Sequence, residues 1–282
     1  MGWELFALVA AFSIGIERLI HRHVMKKEGH IAYSWLSALL GGIFYLPLLA
    51  IVGFTIPASP YGWALAMFAG LIWAVRALIG FKSYRYTQVS LRDPVARTDV
   101  LFLLLFSSLI LREPITAAKL LGVLVIFLGL TILTWHKGKI FGKFSHKGVR
   151  LTLLAAVLSG LVAVVDKAAV AYFLPALYGF LMFIIPAVYL TPLALRNKNE
   201  IKRLVSRKLF WAIIVSILAV GSYYLQLSAY LLTDVSKVFP VLQLSTLVTV
   251  IGGAVFHKEK DLGLRLIGAI LMIVGSVTII AS

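Results

Sequence analysis

The chain has 282 residues, 61% of them hydrophobic and 13% charged, with a mean hydropathy of +0.99 and a formal charge of +16. A soluble domain is about 45 to 50% apolar and about 25% charged, so this composition excludes a water-soluble fold and fits an integral membrane protein. With no cysteine in the chain, disulfides, thiol chemistry and thiolate metal sites are excluded too.

A membrane helix needs about 20 mainly apolar residues. On that rule ten spans are predicted in chain order, at 3–21, 31–52, 61–81, 88–111, 115–135, 149–172, 174–195, 209–231, 235–256 and 262–281. The first, "WELFALVAAFSIGIERLI", follows no basic segment and precedes no small-residue cleavage site, so it reads as a retained span. Phe6 stands where a myristoylation signal has Ser or Thr. The two largest connections, "HKGKIFGKFSHKG" (136–148) and "RNKNEIKRLVSRK" (196–208), are basic and too short to hold a core. Trp3, Trp35, Trp63, Trp135 and Trp211 fall at predicted span ends, where amphipathic rings favour the headgroup region.

The connections on one side of the membrane carry 19 Lys and Arg residues, against Arg112 and Lys119 alone on the other. The positive-inside rule makes the basic side cytoplasmic and puts both termini outside. The net charge is then mainly a topological signal, supplemented by attraction to the anionic headgroups of the bilayer, and gives no support to a nucleic-acid partner.

Sliding the chain by 146 residues superimposes Tyr84 on Tyr230, Thr87 on Thr233, Val89-Ser90 on Val235-Ser236, Pro94 on Pro240, Glu113 on Glu259, Gly122 on Gly268 and Gly129 on Gly275. A shift of 145 pairs "AAFSIG" (10–15) with "AAVLSG" (155–160) and "IFYLPLL" (43–49) with "AVYLTPLA" (187–194). The expected organisation is a first repeat at 1–135, a basic linker at 136–148 and a second repeat at 149–282. Five spans is an odd number, so the copies enter the membrane in opposite directions. Such inverted repeats place a substrate site near the midplane between halves that rock to give alternating access.

The stretches "VSLRDPVARTDVLFLLLFSSLILREPITAAKLLGVLVIFLG" and "VSKVFPVLQLSTLVTVIGGAVFHKEKDLGLRLIGAILMIVG" carry a family resemblance. Each joins a span, a short charged turn and a Gly-containing final span. In this the chain resembles the drug/metabolite transporter (DMT) superfamily, specifically its ten-span EamA-type members. The second copy has Lys260 where the family pattern has Pro. The resemblance implies an all-α polytopic membrane protein of two inverted five-helix repeats. It also implies export or uptake of a small metabolite through a cavity lined by the first, third and fourth spans of each half. Many such transporters have cytoplasmic termini, contrary to the charge count, which is followed here.

Charge inside the bilayer costs about 2.5 to 3.5 kcal/mol per residue near a span centre, so interior charges must pair, face water or sit near span ends. Asp93 with Arg97 and Asp234 with Lys237 have helical spacing for pairing. Glu17 and Arg18 lie near the basic end of the first span, positioned either to snorkel or to couple transport. Asp166 and Lys167 are adjacent on the sixth span, about 100° apart, so one narrow seam cannot take both, and Asp166 is a candidate for coupling transport. Ala69, Trp73, Arg76 and Gly80 share one helical face. That face is either a cavity wall with Arg76 ready for a carboxylate or phosphate, or a lipid face from which Arg76 snorkels to the loop. The matching part of the eighth span carries Ser222, Tyr223 and Gln226. Pro94 and Pro240 open the fourth and ninth spans as expected hinges, near Arg97 and Asp99 in one half and Lys237 and Gln243 in the other. Asp99 is read as a proton-coupling group or as the partner of an arginine.

The glycines seven apart in the fifth and tenth spans allow close packing, within the monomer or in a homodimer. His21, His23, His30, His136, His146 and His257 lie in or beside loops at span ends, and no metal site is expected. Without a P-loop or nucleophile elbow, neither ATP-driven transport nor hydrolysis is expected, and no cofactor. The reading is a secondary transporter of a small polar metabolite, an amino acid or organic anion, in the cell membrane. The competing readings are an uncoupled facilitator or channel and a multidrug or cation exporter; a membrane-embedded enzyme lacks clustered acid, base or metal groups.

Overall fold

Every regular element among the described residues of the computed structural model is helical; those residues are 2–25, 29–83, 86, 95–134, 147–249, 252 and 262–281. The first repeat supplies α1 (Trp3–Met25), α2 (His30–Val52), α3 (Pro60–Ser83), α4 (Asp99–Phe106, continued by a π-helical turn Ser107–Leu111) and α5 (Ala117–Thr134). The second supplies α6 (Lys147–Ala169), α7 (Pro175–Leu195), α8 (Lys198–Leu232), α9 (Val235–Leu242) and α10 (Leu262–Ile280). By length and composition α2, α3, α6, α7 and α8 can each cross a membrane, and Asp99–Leu111, Ala117–Ile132, Val235–Thr249 and Ile270–Ile280 are shorter apolar helices.

Local chemistry sets the helix ends. Gly53, at φ +80°, closes α2 with its N–H on the Leu49 carbonyl, a conformation that glycine adopts without a Cβ clash. Pro175 occupies the first turn of α7, where its missing N–H has no helical partner in any case. Several predicted boundaries shift by a few residues, and α8 begins at Lys198, 11 residues before the expected start of the eighth span. Lys, Arg and Glu are good helix formers, and Ile201 and Leu204 give this basic segment an apolar stripe that packs on Val24, Tyr33 and Leu36.

The two repeats pack as two-fold mates. Helix α1 lies on α8 as α6 lies on α3, and α1 meets α9 as α6 meets α4. Helix α2 faces its own mate α7, and α5 faces α10. A Cβ on Gly122 would stand 2.7 Å from the Gly275 carbonyl oxygen, and one on Gly129 2.6 Å from that of Gly268. Numbers rise along α5 as they fall along α10, so these mates run antiparallel, as inversion of one repeat requires. The glycine faces therefore meet each other within the chain. Likewise Gly160 closes on the Asp99 carbonyl oxygen, with 3.0 Å to a Cβ there, and Gly15 on that of Ser245, with 2.7 Å. These are the glycines ending "AAVLSG" and "AAFSIG".

Helices α4 and α9 break at matching places. Thr98, Val100 and Leu101 bond carbonyls three residues back, and so do Leu244, Thr246 and Leu247, each 146 residues further on. Pro240 lies inside α9, just before this tightened stretch; Pro94 is outside the described residues.

The "REP" turn does more than mark the duplication. Arg112 takes the left-handed conformation at φ 57° and ends the π-helical turn. The buried Glu113 carboxylate then accepts the backbone N–H groups of Val235 (2.9 Å) and Ser236 (3.0 Å), satisfying the start of α9. Lys119, 1% exposed, donates to Asp234 Oδ2 (2.8 Å), Ser236 Oγ (2.9 Å) and the Pro114 carbonyl (3.1 Å). Lys167 donates to the carbonyls of Tyr230 and Thr233 at the C-terminal end of α8, where a cation meets the negative end of the helix dipole. Three charged side chains thus bind the α8–α9 link. The expected local pairing of Asp234 with Lys237 gives way, for Asp234, to Lys119 from the other repeat. The mates of the cap, Glu259, Val89 and Ser90, and the expected Asp93 of an Asp93–Arg97 pair lie outside the described residues.

Candidate functional site

A cavity of about 390 Å³ lies between the repeats, and the described residues that line it come from α1 to α4 and α6 to α9. Contributions from α2 (Ser34, Ser37, Ala38) and α7 (Met182, Phe183, Pro186, Leu190) add the second spans to the first, third and fourth that the family resemblance implies. Helix α1 lends only its second half (Ile14, Glu17, Arg18, His21) and α2 only its first half. The cavity therefore extends toward the end where α1 finishes and α2 begins, the end of the predicted basic connections. The opposite end is filled by a core that includes Ala7, Ala10, Leu49, Phe173, Leu177 and Val235.

One wall is aromatic and cationic. The Arg76 guanidinium lies 4.3 Å from the centre of the Trp73 ring, and its Nε donates to Ser159 Oγ at 2.6 Å. Tyr223 meets Trp73 edge-on at 5.8 Å and Phe183 at 6.0 Å. Of the two arrangements open to the Trp73–Arg76 face, the structure has the cavity wall. Arg18 reaches Ser245 Oγ at 2.8 Å, so it points into the bundle and toward α9. A guanidinium on an aromatic face, steered by a hydroxyl, presents the planar donor fork that suits carboxylate and phosphate oxygens.

At the meeting of the broken helices, Arg97 and Gln243 are 146 residues apart in the repeat and bond each other directly. Gln243 accepts from Arg97 through Oε1 and donates from Nε2 to Asp99 Oδ1 at 3.1 Å, while Arg97 and Asp99 stand 4.0 Å apart. All three side chains are buried and all three line the cavity. Asp99 thus has an arginine as neighbour and the mate glutamine as direct partner. The buried Arg97 Nε has no hydrogen-bond partner, which leaves a donor at the cavity.

The floor is Asp166, fully buried, whose two carboxylate oxygens accept from Tyr178 and Tyr223 hydroxyls at 2.8 Å each. Gln226, also in the lining, donates to the neighbouring Tyr230 hydroxyl at 2.9 Å. Nearer the wide end, His21 is hydrogen-bonded through Nε2 to Glu17 Oε1 at 2.8 Å and through Nδ1 to the Tyr33 hydroxyl. Glu17, expected to snorkel or to couple, and His21, expected beside a loop, therefore both belong to the cavity.

Of the residues singled out from the sequence, Glu17, Trp73, Arg76, Arg97, Asp99, Asp166, Tyr223, Gln226 and Gln243 come together in this lining. Lys237 does not: it is half-buried on α9, outside the lining. Sequence reasoning missed His21, Ser159, Tyr33 and Tyr178 as parts of the site, while Arg18, weighed with Glu17, joins it in the lining. The available signal was the repeat itself, since a shift of 145 carries His21 onto Asp166 and Tyr33 onto Tyr178.

Comparison with known proteins follows the same outline. A family model described as the EamA-like transporter family matches residues 1–135 and 146–281. No curated protein matches the sequence. A solved structure, titled only as the crystal structure of a protein, is similar at a TM-score of 0.76 over 98% of this chain and 95% of its own, with 13% sequence identity. At that identity the likeness concerns the fold alone.

Proposed function

Since the chain belongs to the EamA-like transporter family, we propose that it is a secondary transporter carrying a small polar metabolite, an amino acid or organic anion, by alternating access of its two repeats. The observation that carries this reading is the Arg76–Trp73 wall of the cavity between the repeats. The volume of about 390 Å³ suits a small molecule. Arg76 and Arg18 attract an anionic group, and Trp73, Phe183 and Tyr223 offer contact to an apolar part of the same substrate. Asp99 and Asp166 accept an ammonium group, which brings amino acids within the class. With the basic connections cytoplasmic, both termini lie outside the cell membrane and the cavity faces inward.

Counterflow in proteoliposomes tests this, using radiolabelled amino acids, small carboxylates and lipophilic cations as separate probes. Saturable exchange of a carboxylate-bearing probe is expected. Arg76→Ala is expected to raise its KM about tenfold or more, the loss of one charge-assisted hydrogen bond. Flux that neither saturates nor shows counterflow identifies a channel instead. Exclusive exchange of lipophilic cations, unaffected by Arg76→Ala, identifies an exporter of a different substrate class.

A further inference from the structure

The repeat brings titratable groups to equivalent places in its two halves. His21 on α1 and Asp166 on α6 are 145 residues apart, and so are Tyr33 on α2 and Tyr178 on α7. In each half the tyrosine hydroxyl hydrogen-bonds the titratable side chain: Tyr33 to His21 Nδ1, and Tyr178 to Asp166 Oδ1. Both groups sit near the C-terminal ends of antiparallel mates, which separates them by about 20 Å along the helix axes at 1.5 Å per residue. Both line the cavity, His21 toward its wide end and Asp166 at its floor. When mates exchange conformations, as inverted repeats do in alternating access, the two positions exchange as well. Asp166 then stands toward the mouth on the opposite side and His21 at the floor.

We propose, resting on the transport reading above, that Asp166 and the His21–Glu17 pair are proton-binding sites, one in each repeat, through which this carrier couples its substrate to protons. In each site the charged form has hydrogen-bond partners, two tyrosine donors for the Asp166 carboxylate and the Glu17 carboxylate and Tyr33 oxygen as acceptors for a protonated His21. Loss of the Asp166 proton breaks its carboxyl O–H bond and passes the proton to cavity water; the carboxylate left behind keeps the Tyr178 and Tyr223 donors. Gain of a proton by His21 makes both ring nitrogens donors. Nε2–H then stays on the Glu17 carboxylate, and Nδ1–H turns to the Tyr33 oxygen. The groups facing Asp166 from neighbouring helices are Arg76 and the Trp73 indole on α3, Tyr178 on α7, and Tyr223 and Tyr230 on α8. His21 has Glu17 on its own helix and Tyr33 on α2, and shares the cavity with Arg18, Arg97 and Asp99. None of the described ion pairs engages Asp166.

Two measurements on the full chain in lipid decide this. The first needs no substrate: an infrared titration of protonated carboxyl groups, in which a band present in the wild type and missing in Asp166→Asn is expected. The same titration in Asp166→Asn with every carboxyl band retained overturns the assignment. The second imposes a pH gradient on proteoliposomes and follows the radiolabelled amino acid or carboxylate that scores in counterflow. One coupled proton sustains up to about tenfold accumulation per pH unit. Asp166→Asn and His21→Gln are each expected to bring the ratio of gradient-driven accumulation to exchange down toward that of an uncoupled carrier. Wild-type ratios in both variants overturn the proposal, as does wild-type exchange with no response to the gradient, which leaves the transport reading intact. Absence of counterflow with every probe defeats the transport reading instead, and the infrared titration still decides whether Asp166 binds the proton.

Discussion

Gly160→Val is expected to destabilise the folded protein by about 3 kcal/mol or more, at the upper end of what overpacking costs. The added Cβ meets backbone, which cannot swing aside: it would stand 2.7 Å from the Leu103 nitrogen and 3.0 Å from the Asp99 carbonyl oxygen. To accommodate it α4 must move off α6, and Asp99 moves with it, away from Gln243. Gly221→Ala is the control, because a Cβ at that exposed helical position finds nothing within 4 Å. It should be neutral or stabilise by up to about 1 kcal/mol through helix propensity. Thermal unfolding of the purified variants in detergent reads both effects, and equal loss in the two would contradict the packing given for α4 on α6.

Glu113→Ala is expected to cost about 3 kcal/mol, since it leaves two buried N–H groups at the start of α9 without an acceptor. Glu113→Gln should recover part of that loss, because one amide oxygen still accepts. Glu4, partly exposed and with its carboxylate on the Gly2 N–H near the chain start, provides the comparison, and Glu4→Ala should change stability little. Chemical denaturation checks the ranking. A Glu113→Ala protein as stable as the wild type would mean that the α4–α5 turn does not hold the α8–α9 link.

Much of this architecture is legible in the sequence because the bilayer leaves the chain few choices. Apolar runs give the ten spans, and coincident Pro, Glu and Gly positions give the repeat. The glycines of "AAFSIG" and "AAVLSG" then prove to be equivalent close-contact points, Gly15 of α1 against Ser245 and Gly160 of α6 against α4. Trp73 and Arg76 could be grouped because helical spacing puts them on one face, and the structure lays the guanidinium over the ring. What local spacing cannot supply is the partner from the other repeat. Asp234 and Lys237 are three residues apart, yet Asp234 binds Lys119, which is 115 residues away. Glu113 reads as a turn residue until α9 is placed beside it. Glu17 and His21 are four apart and so were already a pair on one face, but nothing in α1 alone says that this face looks inward. Proximity of a residue to a loop was the wrong guide there, since the cavity itself extends toward that end of the bundle.

The central claim, that two inverted repeats open the cavity alternately to the two sides of the membrane, can be tested at mated positions. The chain lacks cysteine, so single cysteines report without background. Ala155 lines the cavity, and its mate Ala10 is fully buried in the opposite, filled end. Labelling of Ala155→Cys and Ala10→Cys by a membrane-impermeant maleimide should respond in opposite directions when a transported probe is added, one rising as the other falls, and from opposite faces of the vesicle. Labelling that rises or falls together at both positions, or an Ala10→Cys that never reacts during counterflow, would contradict it.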